Sequence, residues 1–427
     1  MSELKRIDPA CGLEPIASSV DPGAAVKPAA EALAPFHHAP LYWLALGTFA
    51  VGTEGFMIAA ILPGIATDLS VSVQAAGQLM GVFALTYALS SPILTALTGA
   101  MNRRKLLILS MSAFAAANIV AALAPHYGSL LGARVLLALS AGLYVPNANA
   151  LAGALVPPER RGRALAIVGG GISLAVALGV PLGAFISAHF GWRMTFVGVA
   201  VLASLALAGL LFGMPRGIGA GLAVATLRER IAIVRQPAAL LALGTTAIWA
   251  MGGYTVYTYV APFLTATTGL AGSTIGYALF LWGAAAFSGL LLGGAANDRF
   301  GGRLVISVAL PVMGLALISL SVFAHSLTVA AALAPVLAAI ILWGLTGWGF
   351  FPAQQARLIG ITGVKGASII LSLNASFMYL GFSLGAALGS FVLTQASLAD
   401  LGWVGGLCVL ASFLLYLATR HRASPTS

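Results

Sequence analysis

The sequence predicts an all-α integral membrane protein, with twelve transmembrane helices in two six-helix bundles related by a parallel repeat. Three observations predict it. Hydrophobic residues make up 60% of the 427-residue chain and charged residues only 7%, with a mean hydropathy of +1.00, a composition that no water-exposed globular surface tolerates. Apolar stretches near the ~20 residues needed to cross a bilayer recur twelve times. Finally, the second half realigns on the first at a constant offset.

The stretches are 41–63, 75–98, 106–125, 129–154, 165–188, 195–214, 238–263, 274–295, 304–324, 328–352, 367–394 and 402–419. None alternates polar and apolar residues over about ten positions, as barrel strands do. Residues 1–40 are rich in Ala and Pro, carry charges of both signs and lack an apolar h-region, so they read as a disordered cytoplasmic tail and not a signal peptide. The organisation expected is an N-terminal bundle over 41–214, a cytoplasmic linker over 215–237, a C-terminal bundle over 238–419 and a cytoplasmic tail over 420–427.

Orientation follows from the basic residues. With the N-terminus in the cytoplasm, the 21 Lys and Arg residues all fall inside except Arg193, which is outside, and Arg134, which is within a helix. This asymmetry places both termini in the cytoplasm and requires an even number of spans. The net charge of +10 is therefore a topology signal. Nucleic acid is excluded as a partner because the charge is scattered over short loops with no soluble domain to present it.

The repeat is specific. Helices four and five realign on ten and eleven at a shift of 206: Pro146 on Pro352, Gly179 on Gly385, and LGAF at 182–185 on LGSF at 388–391. Two polar loops match as well, LTGAMNRRKLLILS around 97–110 and GGAANDRFGGRLVIS around 293–307. Two halves in the same orientation are the arrangement expected of a transporter whose site lies between them.

Only two side chains ionised at neutral pH, Glu54 and Arg134, sit well inside an apolar stretch. At 1.5 Å per residue, Glu54 lies about 13 Å below Pro63 and Arg134 about 10 Å below Tyr127, levels close enough for a pair. In a dry cavity burial disfavours the carboxylate and a nearby cation favours it. Moving one against the other then switches protonation, which is a mechanism for coupling.

At this point the residues resemble the major facilitator superfamily over essentially all of 41–420. GGAANDRFGGR at 293–303 is similar to its cytoplasmic loop signature, Gly-x-x-x-Asp-Arg-x-Gly-x-Arg. The resemblance implies a cytoplasmic gate in which Asp298 caps a helix end and pairs with Arg299 or Arg303. The first copy, GAMNRRK at 99–105, has no Asp, so a clasp is not assumed in the N-terminal half. GGGISLAVALGVPLG at 169–183 resembles the helix-five motif of the drug:proton antiporter branch, with Gly179, Pro181 and Gly183, and favours an exporter. The first helix, 47–69, resembles that of arabinose, purine and chloramphenicol efflux proteins. There the acid directly precedes the Phe; here Gly55 intervenes, which rotates Glu54 by about 100°. ARVLLALSAG at 133–142 is similar to the helix-four arginine motif, linked in the family to proton transfer, so Arg134 joins Glu54 as a proton-coupling candidate.

The resemblance also implies that helices one, four, seven and ten line a central cavity. Candidate cavity residues are Asn147, Asn149, Trp249, Tyr254, Tyr257 and Asn374. The function expected is a proton-coupled efflux transporter, an antiporter of a small neutral or weakly cationic solute such as a sugar, nucleoside, purine or drug. A proton-coupled importer of sugars or nucleosides is the alternative. Organic phosphates are disfavoured because two facing arginines would be needed to hold them.

Other classes fare worse. A membrane-embedded enzyme needs a nucleophile with its base, or a His and carboxylate cluster; the six His residues lie in tails or loops. A channel needs rings of charges or carbonyls that this chain does not supply. Cys11 and Cys408 lie where they cannot meet, so neither a disulfide nor a thiolate metal site is expected, and no cofactor. The expected partners are the solute, protons and the lipid bilayer, with a single chain as the working unit in the cell membrane, the inner membrane if bacterial.

Overall fold

The computed structural model describes residues 39–214 and 225–419; nearly all of the tail expected over 1–40, positions 215–224 of the linker, the tail 420–427 and Cys11 lie outside the described residues. Twelve helices are long and apolar enough to cross a membrane. They are α1 (Ala39–Asp68), α2 (Val73–Leu97), α3 (Arg103–Ala122), α4 (Tyr127–Ala154), α5 (Arg161–Phe190), α6 (Trp192–Phe212), α7 (Pro237–Tyr257), α8 (Ser273–Phe300), α9 (Gly302–Ser326), α10 (Val329–Gly363), α11 (Gly366–Gln395) and α12 (Leu398–Thr419). No strand occurs among the described residues.

Three departures from the hydropathy pattern have physical causes. Helix α10 runs eleven residues past the expected 352, because its polar end finds partners: Gln354 Nε2 donates to Ala242 O at 2.7 Å and Arg357 Nη2 to Thr419 Oγ1 at 2.8 Å. It stops at Gly363, whose φ of 68° suits a residue without Cβ. The seventh stretch is broken at Thr258–Tyr259 and resumes as a short helix, Val260–Thr268. Inside α5, residues Ala175–Gly179 form a π turn, with Val180 N–H bonded to Ala175 O. Pro181 follows directly and has no N–H to close the next α-helical bond.

The repeat is visible in packing as well as in sequence. Moved along by 206 residues, α4 and α5 fall on 333–360 and 367–396, against the observed α10 and α11. Gly179 of α5 abuts Thr53 of α1, and its equivalent Gly385 of α11 abuts Met251, Tyr254 and Thr255 of α7. The same glycine brings equivalent helices together in both halves.

The loops after even-numbered helices carry the basic clusters, and that face is called the basic face below. Hydrogen bonds and ring contacts between the halves lie at mid-depth or toward the opposite face. Near that face Gln74 Nε2 donates to Leu393 O at 3.2 Å, and at mid-depth Tyr87 stacks on Tyr379 with centroids 3.8 Å apart. Gly283 of α8 abuts the backbone of Val176 and Ala177 in α5. Farther along the same two helices toward the basic face, a Cβ at Gly169, Gly170 or Gly294 would meet nothing within 4 Å. Among the described residues the hydrogen bonds and ring contacts between the halves thus concentrate away from the basic face.

A linker helix, Leu227–Val234, closes the basic end of the C-terminal half. Thr226 caps it, and the hydrogen bonds from Thr226 hold the Glu229 carboxyl below its ordinary range. Ile233 packs with Leu358, Ile370 and Leu373, and Arg230 Nη1 donates to Ser372 Oγ at 2.9 Å.

Candidate functional site

Glu54 lies at the middle of α1, fourteen residues from Asp68, and both it and Arg134 are 0% exposed. Arg134 Nη1 donates to Glu54 Oε1. The guanidinium is anchored on its other side by a 3.0 Å bond from Nε to Leu79 O of α2 and lies 4.4 Å over the Phe83 ring. Glu54 Oε2 and Arg134 Nη2 have no hydrogen-bond partner. The pair therefore has one bond where a forked arrangement would have two. Taking two charges out of water is costly even when they are paired, which favours a functional over a purely structural role for them.

Two residues along α1, Phe56 enters a set of aromatic rings from the other half. Its centroid lies 6.2 Å from Tyr254, 6.1 Å from Tyr257, 6.2 Å from Trp348 and 6.2 Å from Phe382. Tyr257 OH also donates to Phe56 O at 3.1 Å. The rings, with Trp249, Trp282, Trp343 and Met313, line a cavity of about 30 Å³. Charge and aromatic cage thus meet at one point on one helix.

The sequence-derived cavity residues divide. Trp249, Tyr254 and Tyr257 line the cavity. Asn147 does not: its Oδ1 accepts Arg103 Nη1 at 2.9 Å and its Nδ2 donates to Leu143 O at 2.6 Å, so it secures a buried loop arginine. Asn149 donates back to Val145 O of its own helix at 3.2 Å, and it too lies outside the cavity lining. Asn374 accepts Thr246 Oγ1 at 2.7 Å, in a network with Gln354 that ties α7, α10 and α11 together. Phe56, Trp282, Trp343, Trp348 and Phe382 were missed. Their one signal in the sequence is that each stands deep inside an apolar stretch, away from the interfaces where aromatic belts sit.

The basic loops differ from expectation too. Asp298 is exposed and its hydrogen bond is with Asn297 Nδ2 at 3.4 Å; the ion pairs among described residues are Glu54–Arg134, Asp68–Arg193 and His325–Asp400. Neither Arg299, stacked on Phe300 at 5.2 Å, nor the exposed Arg303 pairs with it, and Gly301, the residue before α9, gives that helix no side-chain cap. Among the described residues the clasp expected of Asp298 is not made. The N-terminal loop is instead the tied one. Asn102 caps α3, accepting from Arg104 N at 2.9 Å, while Arg104 reaches Leu211 O at 2.7 Å and Met214 O at 3.1 Å. Gly179 and Gly183 seat α5 directly on Thr53 and Met57, flanking Glu54 on α1, and Pro181 O approaches Gly276 of α8. The helix-five motif is thus the wall behind the ion pair.

A family model described as Major Facilitator Superfamily matches residues 44–356. The chain belongs to that superfamily. It is 33% identical over 381 residues to a Bacillus subtilis (strain 168) protein described as an uncharacterized MFS-type transporter, YbcL, covering 88% of this chain and 95% of that one. It is 37% identical over 276 residues to a chloramphenicol resistance protein of Streptomyces lividans, covering 64% of this chain and 70% of the relative. Among solved structures, a bacterial homologue of the human lysosomal transporter Spinster, inward-facing and occupied, superposes with a TM-score of 0.76 at 19% identity, over 92% of this chain and all of that one. A D-xylose–proton symporter gives 0.71 at 16% identity, over 89% and 97%. The chain is a membrane transporter of twelve spans and not an enzyme.

Proposed function

We propose that this superfamily member exports a small solute in exchange for inward-moving protons, with Glu54 as the proton carrier. The observation that supports this most is the wholly buried Glu54–Arg134 pair, with Glu54 two residues from Phe56 of the aromatic cage. Protonation of Glu54 removes the attraction to Arg134, which stays anchored on Leu79 O and Phe83, so α1 is freed to move. Deprotonation restores the attraction. One carboxylate thereby links a proton to the position of the helix that also touches the cage.

The basic face is taken as cytoplasmic, with both termini there and the chain in the inner membrane of a bacterium. In that orientation, the concentration of contacts between the halves away from the basic face supports an inward-facing reading. The helix-five motif and the chloramphenicol resistance relative favour export and a drug-like solute. The solute is neutral or weakly cationic, since Arg134 is already engaged and no second buried arginine faces it.

Two assays test the reading. In inverted vesicles carrying an imposed pH gradient, adding a transported solute should release the gradient, read by recovery of a quenched pH dye. A solute that the vesicles accumulate with no effect on the gradient would remove proton coupling. A reporter active only outside the cytoplasm should be silent after residue 225 and active after Gly269; the reverse would overturn the orientation.

A further inference from the structure

Among the residues lining the 30 Å³ cavity, Phe56 alone comes from the N-terminal half. Its ring is nearly equidistant, 6.1–6.2 Å, from four rings of the other half, which is where a guest held by all four would sit. The space left has room for a water molecule or two, not for a solute. No charged side chain lines it. Two of its indole N–H groups, those of Trp249 and Trp282, are buried without an acceptor. Such donors carry a desolvation cost that a ligand oxygen would relieve.

We infer that Phe56 is a resident plug in an aromatic cage, that the solute's own ring displaces it, and that the cage selects a neutral flat ring bearing a hydrogen-bond acceptor. A permanent cation is disfavoured relative to a neutral ring despite the aromatic faces, because the lining residues include two unpartnered N–H donors and no carboxylate. An anion fits poorly because the nearby guanidinium is tied to Glu54. The displacement also carries a signal. In this reading Phe56 leaves the cage by a shift of α1, and Glu54 shifts with it relative to Arg134, which is held against α2 by Leu79 O and Phe83. Solute entry and opening of the ion pair then become one movement, in line with the exchange proposed above. The binding claim stands apart from the direction and the energy source of transport.

The test is equilibrium dialysis of three bicyclic probes against the purified protein in a non-ionic detergent. Chromone is neutral with a carbonyl acceptor, naphthalene has a similar shape with no acceptor, and N-methylquinolinium is a flat cation. Chromone should bind most tightly, with naphthalene weaker by roughly three- to tenfold for each hydrogen bond lost. Phe56→Ala should bind chromone at least several-fold more tightly than wild type, because the ring-sized space is already empty. Phe56→Leu, a milder change for folding, should shift in the same direction by less. Trp249→Phe with Trp282→Phe should bring chromone down to the level of naphthalene. Unchanged or weaker chromone binding in both folded Phe56 variants, or N-methylquinolinium binding as tightly as chromone, would overturn the cage. If chromone binds as described yet exchanges for no protons in vesicles, the cage stands and the proton-coupled reading falls. If chromone is exchanged for protons by wild type and Phe56→Ala alike, with the same affinity, the reverse holds.

Discussion

The two halves share one frame and divide the chemistry. Glycines at equivalent positions, Gly179 and Gly385, seat α5 on α1 and α11 on α7, and Pro146 and Pro352 occupy matching places in α4 and α10. Several buried polar positions were not copied. Arg134 corresponds to Ile340, Asn147 to Ala353, and Tyr144, whose OH reaches Leu44 O, to Phe350. The N-terminal half holds the buried charges and the tied basic loop, whereas the C-terminal half holds the rings and the open loop. Packing glycines constrain helix spacing in any copy of the repeat, while a buried charge is costly wherever it is not used. A duplicated frame can therefore keep its joints and specialise its cavities.

The largest effect should come from breaking the charged half. Arg134→Ala leaves Glu54 buried with no cation and should lower stability by about 3–5 kcal/mol, read as a lower melting temperature in detergent. A survivor should transport with an altered dependence on an imposed pH gradient, since the cation that faces Glu54 is gone. Replacing both partners, Glu54→Gln with Arg134→Gln, should recover much of the stability and none of the coupling. A single Arg134→Ala as stable as wild type would mean the pair is wetter than its burial indicates.

The shared frame can be sharpened by a matched set. Gly179→Leu and Gly385→Leu each push a side chain into α1 or α7 and should each cost about 1–3 kcal/mol or more. Gly170→Ala, in open space on α5, should instead gain up to about 1 kcal/mol from helix propensity. Unequal responses of the two leucine variants would show that the halves do not share the joint. Smallest in stability is Asp298→Asn, below about 0.5 kcal/mol because the exposed carboxylate pairs with no cation in this state. Its turnover should still fall if Asp298 acts in a cytoplasmic gate, as the loop's resemblance implies. Wild-type turnover at normal expression would reduce the loop to a solvated turn.

The helices were legible because a bilayer imposes one demand on every span, a run of apolar side chains. The ion pair was legible for the complementary reason: an uncompensated charge at mid-membrane is expensive enough to stand out. The cage was not. Trp282, Trp343, Trp348 and Phe382 are apolar residues among apolar residues, and nothing in their spacing separates a ring facing the other half from one facing lipid. Asn147 failed differently, since a polar residue on an inward face reads the same whether its partner is a solute or the guanidinium of Arg103. Asp298, expected in a loop, lies in the last turn of α8, and the pairing with Arg299 or Arg303 that the motif implies is not made. Partners chosen across the fold, and partners exchanged during a cycle, are the information a linear pattern lacks.

The central claim is that Glu54 carries the proton, and Glu54→Gln tests it most directly. The amide keeps shape and hydrogen bonding but fixes the neutral form. In proteoliposomes with an imposed pH gradient, the variant should lose uphill solute movement while retaining solute binding or downhill exchange. Gradient-driven accumulation at the wild-type level would remove Glu54 from the mechanism.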